Sequence, residues 1–137
     1  MANGKNGLKI LMIEDSISDA ELSVKELRRY NITNQIIICD NGEEGLGHLR
    51  KPHNNGIQLI ILDLNLIGMT GVEVLRQVIH HPEWRFIPVL VLTGSNSPDE
   101  VPIVMGIGAA GYLRKPLQFI EFITSLRQIG YKWTLAR

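Results

Sequence analysis

A single cysteine, Cys39, excludes an internal disulfide framework. It lies in the apolar run Ile36-Ile37-Ile38-Cys39, where a small core residue is a better reading than a reactive thiol, and a reducing compartment suits it. An excess of one charge is also lacking. Lys+Arg and Asp+Glu number 14 each, and no run of five or more like charges occurs. Composition therefore announces no basic nucleic-acid-binding surface, and no nucleic-acid partner is expected. No apolar run is long enough to span a membrane, and the polar, glycine-rich start Met1-Ala2-Asn3-Gly4-Lys5-Asn6-Gly7 has no apolar core of a signal peptide. Residues 1–7 are expected to be a mobile tail ahead of a cytoplasmic domain with no membrane partner. Internal repeats and low-complexity stretches are missing too. What remains, 137 residues of which 45% are hydrophobic, fits one domain with a sizeable core.

Three apolar runs have strand character: Leu8 to Ile13, Ile57 to Leu62, and Pro88 to Leu92. They are continuous rather than alternating, the habit of parallel strands buried on both faces. Gln35 to Cys39 and Ala109 to Leu113 are weaker strands. Helical spacing recurs between them. Ile17, Ala20, Val24 and Leu27 form one stripe, with Ser18-Asp19-Ala20-Glu21 as its capping box. Glu43 to Arg50 is a helix weakened by Gly45 and Gly47. Gly71 to about His80 turns Val74, Leu75 and Val78 inward, and Gln118 to about Gly130 carries the stripe Phe119, Phe122, Ile123 and Leu126. The fourth helix, after Ser97-Pro98-Asp99-Glu100, meets Pro102, which should push Val101 toward an extended shape and leave a helix that starts late or is distorted, and is short. Five alternations of strand and helix predict an open α/β sheet with helices on both faces.

Ligands of such sheets bind beyond the carboxyl ends of the strands. Glu14 and Asp15 follow the first strand, Asp63 the third, Thr93 and Gly94 the fourth, and Arg114, Lys115 and Pro116 the fifth. Crowded carboxylates repel one another unless a cation intervenes. A hard divalent ion with oxygen ligands resolves this, and Mg²⁺ fits best. A lysine and a threonine hydroxyl beside it offer two places for phosphoryl oxygens. The set suits transfer of a phosphoryl group to a carboxylate.

The runs Ile13-Glu14-Asp15, Ile61-Leu62-Asp63-Leu64-Asn65-Leu66 with Gly71, Val91-Leu92-Thr93-Gly94, and Gly111-Tyr112-Leu113-Arg114-Lys115-Pro116 resemble the receiver domain of two-component response regulators, of single-domain type. The likeness covers about residues 8–130, with 131–137 as a C-terminal extension. It implies a (βα)5 doubly wound, five-stranded parallel sheet, the flavodoxin-like receiver fold. It further implies Asp63 as phosphoacceptor, Asp15 as a direct Mg²⁺ ligand, Glu14 as an acidic residue acting through water, and the Asn65 carbonyl as a further metal contact. Thr93 and Tyr112 match the switch pair, Lys115 the cation that pairs with Asp63 and then with phosphate, and Thr93, Gly94 and Lys115 the phosphate-binding positions. Lys115-Pro116 is usually a cis peptide in the family. Ile67, Gly68 and Thr70 depart from the family pattern after Asp63, which should alter loop shape and partner contact more than acceptor function. Gly94 leaves the approach to phosphate open.

Each residue also has a plainer reading. Glu14 and Asp15 could be a charge pair at a helix start, but Ser18 already supplies that cap; Thr93 could be an ordinary strand residue and Lys115 a solvated cation, but their joint placement after the fourth and fifth strands argues against both; Tyr112 could be a ring packed on the sheet edge. His80 and His81 read as helix-end residues, and Trp84 as packing locally. The resemblance implies a sensor histidine kinase as phosphodonor, a downstream protein target rather than DNA, and a surface on helix 4, strand 5 and helix 5 that switches. The stretch His81 to Thr93 and the aromatic C-terminus are similar to small receivers that partner phytochrome-type kinases. Apolar residues on more than one stripe of helix 5, Ile120 and Ile129 among them, lead to the expectation of a homodimer through that helix and residues 131–137. The alternatives are an aspartyl-phosphate hydrolase, which would want an acid where Asn65 stands, a flavodoxin-like cofactor binder, which Glu14-Asp15 would repel, a phosphorelay intermediate, and a phosphorylation-independent scaffold.

Overall fold

The aliphatic runs form the strands of one parallel sheet, and their side chains alternate between two helical layers. A computed structural model describes residues 9–94 and 99–130. Within it lie β1 (Lys9–Ile13), α1 (Ile17–Arg29), β2 (Ile36–Cys39), α2 (Gly42–Leu49), β3 (Ile57–Asp63), α3 (Gly71–His80), β4 (Val89–Thr93), α4 (Glu100–Ile107), β5 (Gly111–Arg114) and α5 (Phe119–Gln128). The sheet order is β2-β1-β3-β4-β5, and every pairing is parallel. This is the doubly wound, flavodoxin-like order, with its switch point between β1 and β3. The expected (βα)5 receiver fold is what the chain adopts. No described helix is long and apolar enough to cross a membrane.

Along each central strand, alternate residues enter opposite cores. Leu11, Ile13, Ile60, Leu62, Val89 and Val91 pack with residues of α2, α3 and α4. Ile10, Met12, Leu59, Ile61, Leu90 and Leu92 pack with those of α1 and α5, around the fully buried Phe122. Burial on both faces explains why these strands read as unbroken apolar runs. Cys39 belongs to the first core; burial, with Glu44 beside it, pushes its thiol up to about 12, so it is an inert core residue.

Several local expectations need correction. The cap of α1 is Ser16, not Ser18: the Ser16 hydroxyl accepts from the Asp19 amide at 3.2 Å. Ile17 therefore sits in the first turn, past the end of the sheet, and is 73% exposed, while Ser23 joins Ala20 and Leu27 inside. In α4, Val101 is helical rather than extended. Pro102 is the third residue of the helix, where its missing N–H has no intrahelical acceptor to lose. The expectation of a short helix holds, at 8 residues. Ser97, Pro98, Leu8 and the segments 1–7 and 131–137 lie outside the described residues.

Of the two glycines expected to weaken α2, Gly45 brings it close to the sheet, since a Cβ there would press into Ile13, whereas Gly47 faces open space. His80 and His81 serve the end of α3. His81 Nδ1 accepts from the amides of Glu83 and Trp84, and its ring stacks on Trp84 at 3.7 Å. Trp84 itself is 5% exposed and packs in the larger core.

Gly71 opens α3 directly beneath the end of β3. A Cβ there would collide with the Asp63 carbonyl and stand 2.6 Å from Leu64 Cα, both backbone and unable to yield. Gly71→Ala is expected to cost about 1–3 kcal/mol, read as a lower urea midpoint; an unchanged midpoint would contradict this close packing.

Candidate functional site

Four of the predicted residues meet at the carboxyl end of the sheet, at its switch point. Glu14 and Asp15 follow β1, Asp63 ends β3, and each of the three offers a carboxylate oxygen within 4.8 Å of the others. Glu14 and Asp63 are buried, and Asp15 is half-buried. Lys115, just past β5, points its ammonium among them. Its Nζ lies 2.7 Å from Glu14 Oε1, 3.0 Å from Asp19 Oδ2 and 3.5 Å from Asp63 Oδ2.

Backbone groups hold these side chains in place. The Ser16 amide donates to Glu14 Oε2 at 3.1 Å, and the Asn65 amide donates to Asp63 Oδ1 at 3.1 Å. The Lys115 amide donates to the Thr93 carbonyl at 2.8 Å, and the next peptide, Lys115-Pro116, is cis as the resemblance implied. The lysine is thus aimed back over the sheet from a loop tied to the end of β4.

Burial lifts the Glu14 carboxyl to about 7, and the nearby Asp63 adds to this, although Lys115 and the Ser16 amide oppose it. Burial works against the Lys115 charge, but the Glu14 and Asp19 carboxylates hold its pKa above the ordinary lysine value. Glu14 Oε1 is buried without an aligned hydrogen bond, although Lys115 Nζ is its ion-pair neighbour. The lysine supplies charge there but no directed donor. An excess of carboxylates over cations, with one buried oxygen unsatisfied, fits a hard divalent cation that takes oxygen ligands.

The other predicted residues surround this cluster. Thr93 ends β4, is 1% exposed, and donates its hydroxyl to Glu100 Oε1 at 3.3 Å. Gly94 and Lys115 line a cleft of about 360 Å³ together with Asp19, Leu22 and Pro116. Asn65 is exposed and meets the cluster through its amide. Tyr112 is half-buried on β5 and lines a second cleft, of about 260 Å³, with Ile120, Glu121 and Thr124 of α5. Arg114 ends β5 exposed. Sequence reasoning missed Asp19 and Glu100. Asp19 was absorbed into an expected capping box, although a carboxylate in the first turn after Glu14-Asp15 stands at the same end of the sheet.

A doubly wound five-stranded sheet with an acidic switch point and a lysine on a cis-proline loop defines a receiver-type α/β domain. The family model for the response regulator receiver domain matches residues 10–127, and the chain belongs to that family. The probable methanogenesis regulatory protein FilR2 of Methanothrix harundinacea (strain 6Ac) is 33% identical over 127 residues, 90% of this chain and 82% of that one. Response regulator Rcp1 of Synechocystis sp. is 31% identical over 131 residues, 90% of this chain and 87% of that one. The solved structure of the bacteriophytochrome response regulator AtBRR matches with a TM-score of 0.83 at 28% identity, over 93% of this chain and 96% of that one. Receiver domains are signalling switches that bind Mg²⁺ at an acidic cluster and are phosphorylated by histidine kinases.

The Glu14 shift has a consequence for stability. A carboxyl raised from 4.5 to about 7 contributes stability that is fully present below 4.5 and is lost as pH rises through about 7. With a chelator present, Glu14→Gln should remove this loss. Between pH 5 and pH 8 the parent is expected to lose on the order of 1–3 kcal/mol more than the variant, measured by urea unfolding at both pH values. Parallel losses would mean that Glu14 is already ionised in the folded protein.

Proposed function

We propose that this chain is a phosphoacceptor switch, taking a phosphoryl group from the phosphohistidine of a sensor histidine kinase onto Asp63. One observation carries this reading: Asp63, 2% exposed at the end of β3, stands among two further carboxylates with Lys115 Nζ 3.5 Å from its Oδ2. The likeness to a bacteriophytochrome response regulator supports a phytochrome-type kinase as donor, and with it a cytoplasmic setting.

The chemistry follows from the residues. Asp15 and Asp63, with Glu14 and the Asn65 carbonyl, would hold Mg²⁺. Bound Mg²⁺ supplies positive charge against the phosphoryl oxygens. An Asp63 oxygen attacks phosphorus, the phosphorus–nitrogen bond to the histidine breaks, and the imidazole keeps the electron pair. Lys115 shifts its pairing from the Asp63 carboxylate to a phosphoryl oxygen. Thr93 offers its hydroxyl to another, and the exposed Gly94 keeps the approach open. Water later cleaves the acyl phosphate, restoring the Asp63 carboxylate and releasing phosphate, so the chemistry resets a switch rather than turning over a metabolite.

The output is a changed surface on α4, β5 and α5, read by a downstream protein. Among α4 residues Val104 is the buried one, whereas α3 buries Gly71, Val74, Leu75 and Val78, so α4 is the easier helix to move. Ile120, 68% exposed on α5, supports the same face as a homodimer contact. Sedimentation at micromolar concentration is expected to give a dimer; a clean monomer with and without phosphorylation would remove that element.

Intact mass tests the central reading. After incubation with Mg²⁺ and acetyl phosphate, the parent is expected to gain one phosphoryl group and Asp63→Asn none. No gain in either protein would favour a phosphorylation-independent scaffold.

A further inference from the structure

The Thr93 hydroxyl has one proton to donate, and in this structure it goes to Glu100 Oε1, 3.3 Å away. Glu100 is the first residue of α4, half-buried, and Thr93 is the last of β4. We infer that Glu100 is a positioning residue that keeps the Thr93 hydroxyl turned toward α4 while Asp63 is unmodified, and so sets how readily the switch engages. The inference rests on Asp63 being the phosphoacceptor and concerns the regulation of that site.

Three observations lead to it. The first is exclusivity. A hydroxyl cannot donate its one proton to the Glu100 carboxylate and to a phosphoryl oxygen on Asp63 at once, and at 3.3 Å the bond to Glu100 is long enough to be given up. Engaging phosphate therefore requires giving up Glu100. The second is the sheet register. Thr93 has the same parity along β4 as Val89 and Val91, which pack with Val104 of α4, so its side chain belongs to the α4 face of the sheet. On that face its hydroxyl reaches Glu100, at the start of α4.

The third is the weak seating of α4. Its cap residue Asp99 makes no side-chain cap bond, and Val104 is its buried residue, while Ile103 and Met105 are exposed. A side-chain bond from its first residue to the end of β4 is then a tie at the start of the helix. Release of Thr93 loosens α4 at the end nearest the site. Charge acts in the same direction, since a carboxylate shared by the same threonine would repel an incoming phosphoryl group.

The test uses the full chain as parent, Glu100→Gln, Thr93→Ala and the double variant. Glutamine keeps the length and an acceptor oxygen but loses the charge. With Mg²⁺ and acetyl phosphate, Glu100→Gln is expected to raise the initial rate of phosphoryl uptake about threefold to tenfold over the parent, the difference between a charged and a neutral acceptor. In the Thr93→Ala background the same change should do little, because there is no hydroxyl to hold. Urea unfolding of the four proteins without Mg²⁺ gives a second reading that needs no phosphorylation. The two sites are expected to be coupled by about fivefold in the unfolding equilibrium. An unchanged uptake rate in Glu100→Gln, an equal gain in both backgrounds, or zero coupling on unfolding would overturn the inference while leaving Asp63 as acceptor. No uptake by the parent would overturn the phosphoacceptor reading, and this inference with it.

Discussion

One ammonium group and the carboxylates around it govern the carboxyl end of this sheet. Lys115 Nζ gathers Glu14 from the end of β1, Asp19 from α1 and Asp63 from the end of β3, and it does so from a loop after β5. Four elements are thereby joined at one atom, with Asp19 and Lys115 separated by 96 positions in the chain. Charges taken out of water must be compensated, and one cation against several acids compensates only in part. The remainder appears as a Glu14 carboxyl lifted to about 7 and a buried oxygen without a directed donor. A site left short of positive charge is one that gains from a divalent cation, and that gain is available for chemistry only because the sheet cannot relax to relieve it.

The sheet's rigidity comes from its two cores. Leu11, Ile60 and Val91 on one face, and Ile10, Ile61 and Leu90 on the other, leave the central strands with no free surface. Interiors packed this way resist small displacements. The close approach of Gly71 to Asp63 and Leu64 adds a backbone constraint under the acid itself. The helices differ more than the strands do: α3 buries three aliphatic side chains fully, α4 one. On the phosphoacceptor reading, charge introduced at the rim would be relieved through α4 rather than through the sheet.

The sequence carries the rigid part of this arrangement openly and the adjustable part poorly. Continuous aliphatic runs identify strands buried on both faces, and reading the residue that follows each strand finds Glu14, Asp15, Asp63 and Lys115, because strand direction alone decides which end they occupy. Asp19 and Glu100 were not found this way. Each lies in the first turn of a helix, where an acidic residue has an adequate local explanation in the helix dipole. Their actual partners depend on how the helix is placed against a distant loop. Ser16 displaced Ser18 as the cap of α1 for a related reason: the Glu14 carboxylate takes the Ser16 amide and so sets where the chain turns into the helix. The same shift put Ile17 beyond the sheet and exposed it, although its spacing matched the buried stripe. Pro102 was legible as a residue but not as a position, since its cost depends on whether it falls in the first turn or later.

Register then decides how the rim can communicate with the surface. Asp63 pairs with Leu92, Leu92 with Leu113, and Val91 with Tyr112, so the acid and the tyrosine are linked across adjacent strands within two residues of one another. Partners in parallel strands project to the same face, which assigns Tyr112 with Val91 to the α4 side of the sheet. Yet the tyrosine lines a cleft with Ile120, Glu121 and Thr124 of α5, on the other side. Because β5 is an edge strand, its side chain can lean around the edge instead of lying between sheet and helix. Thr93, two residues beyond Val91, projects to that same α4 side, with its hydroxyl toward Glu100. On the phosphoacceptor reading, withdrawing Thr93 toward Asp63 empties room on the face that register assigns to Tyr112. The helix bordering that room is the one held by the fewest buried side chains. Threonine, tyrosine and α4 then respond together because they share one edge of one rigid sheet, and no longer pathway is required.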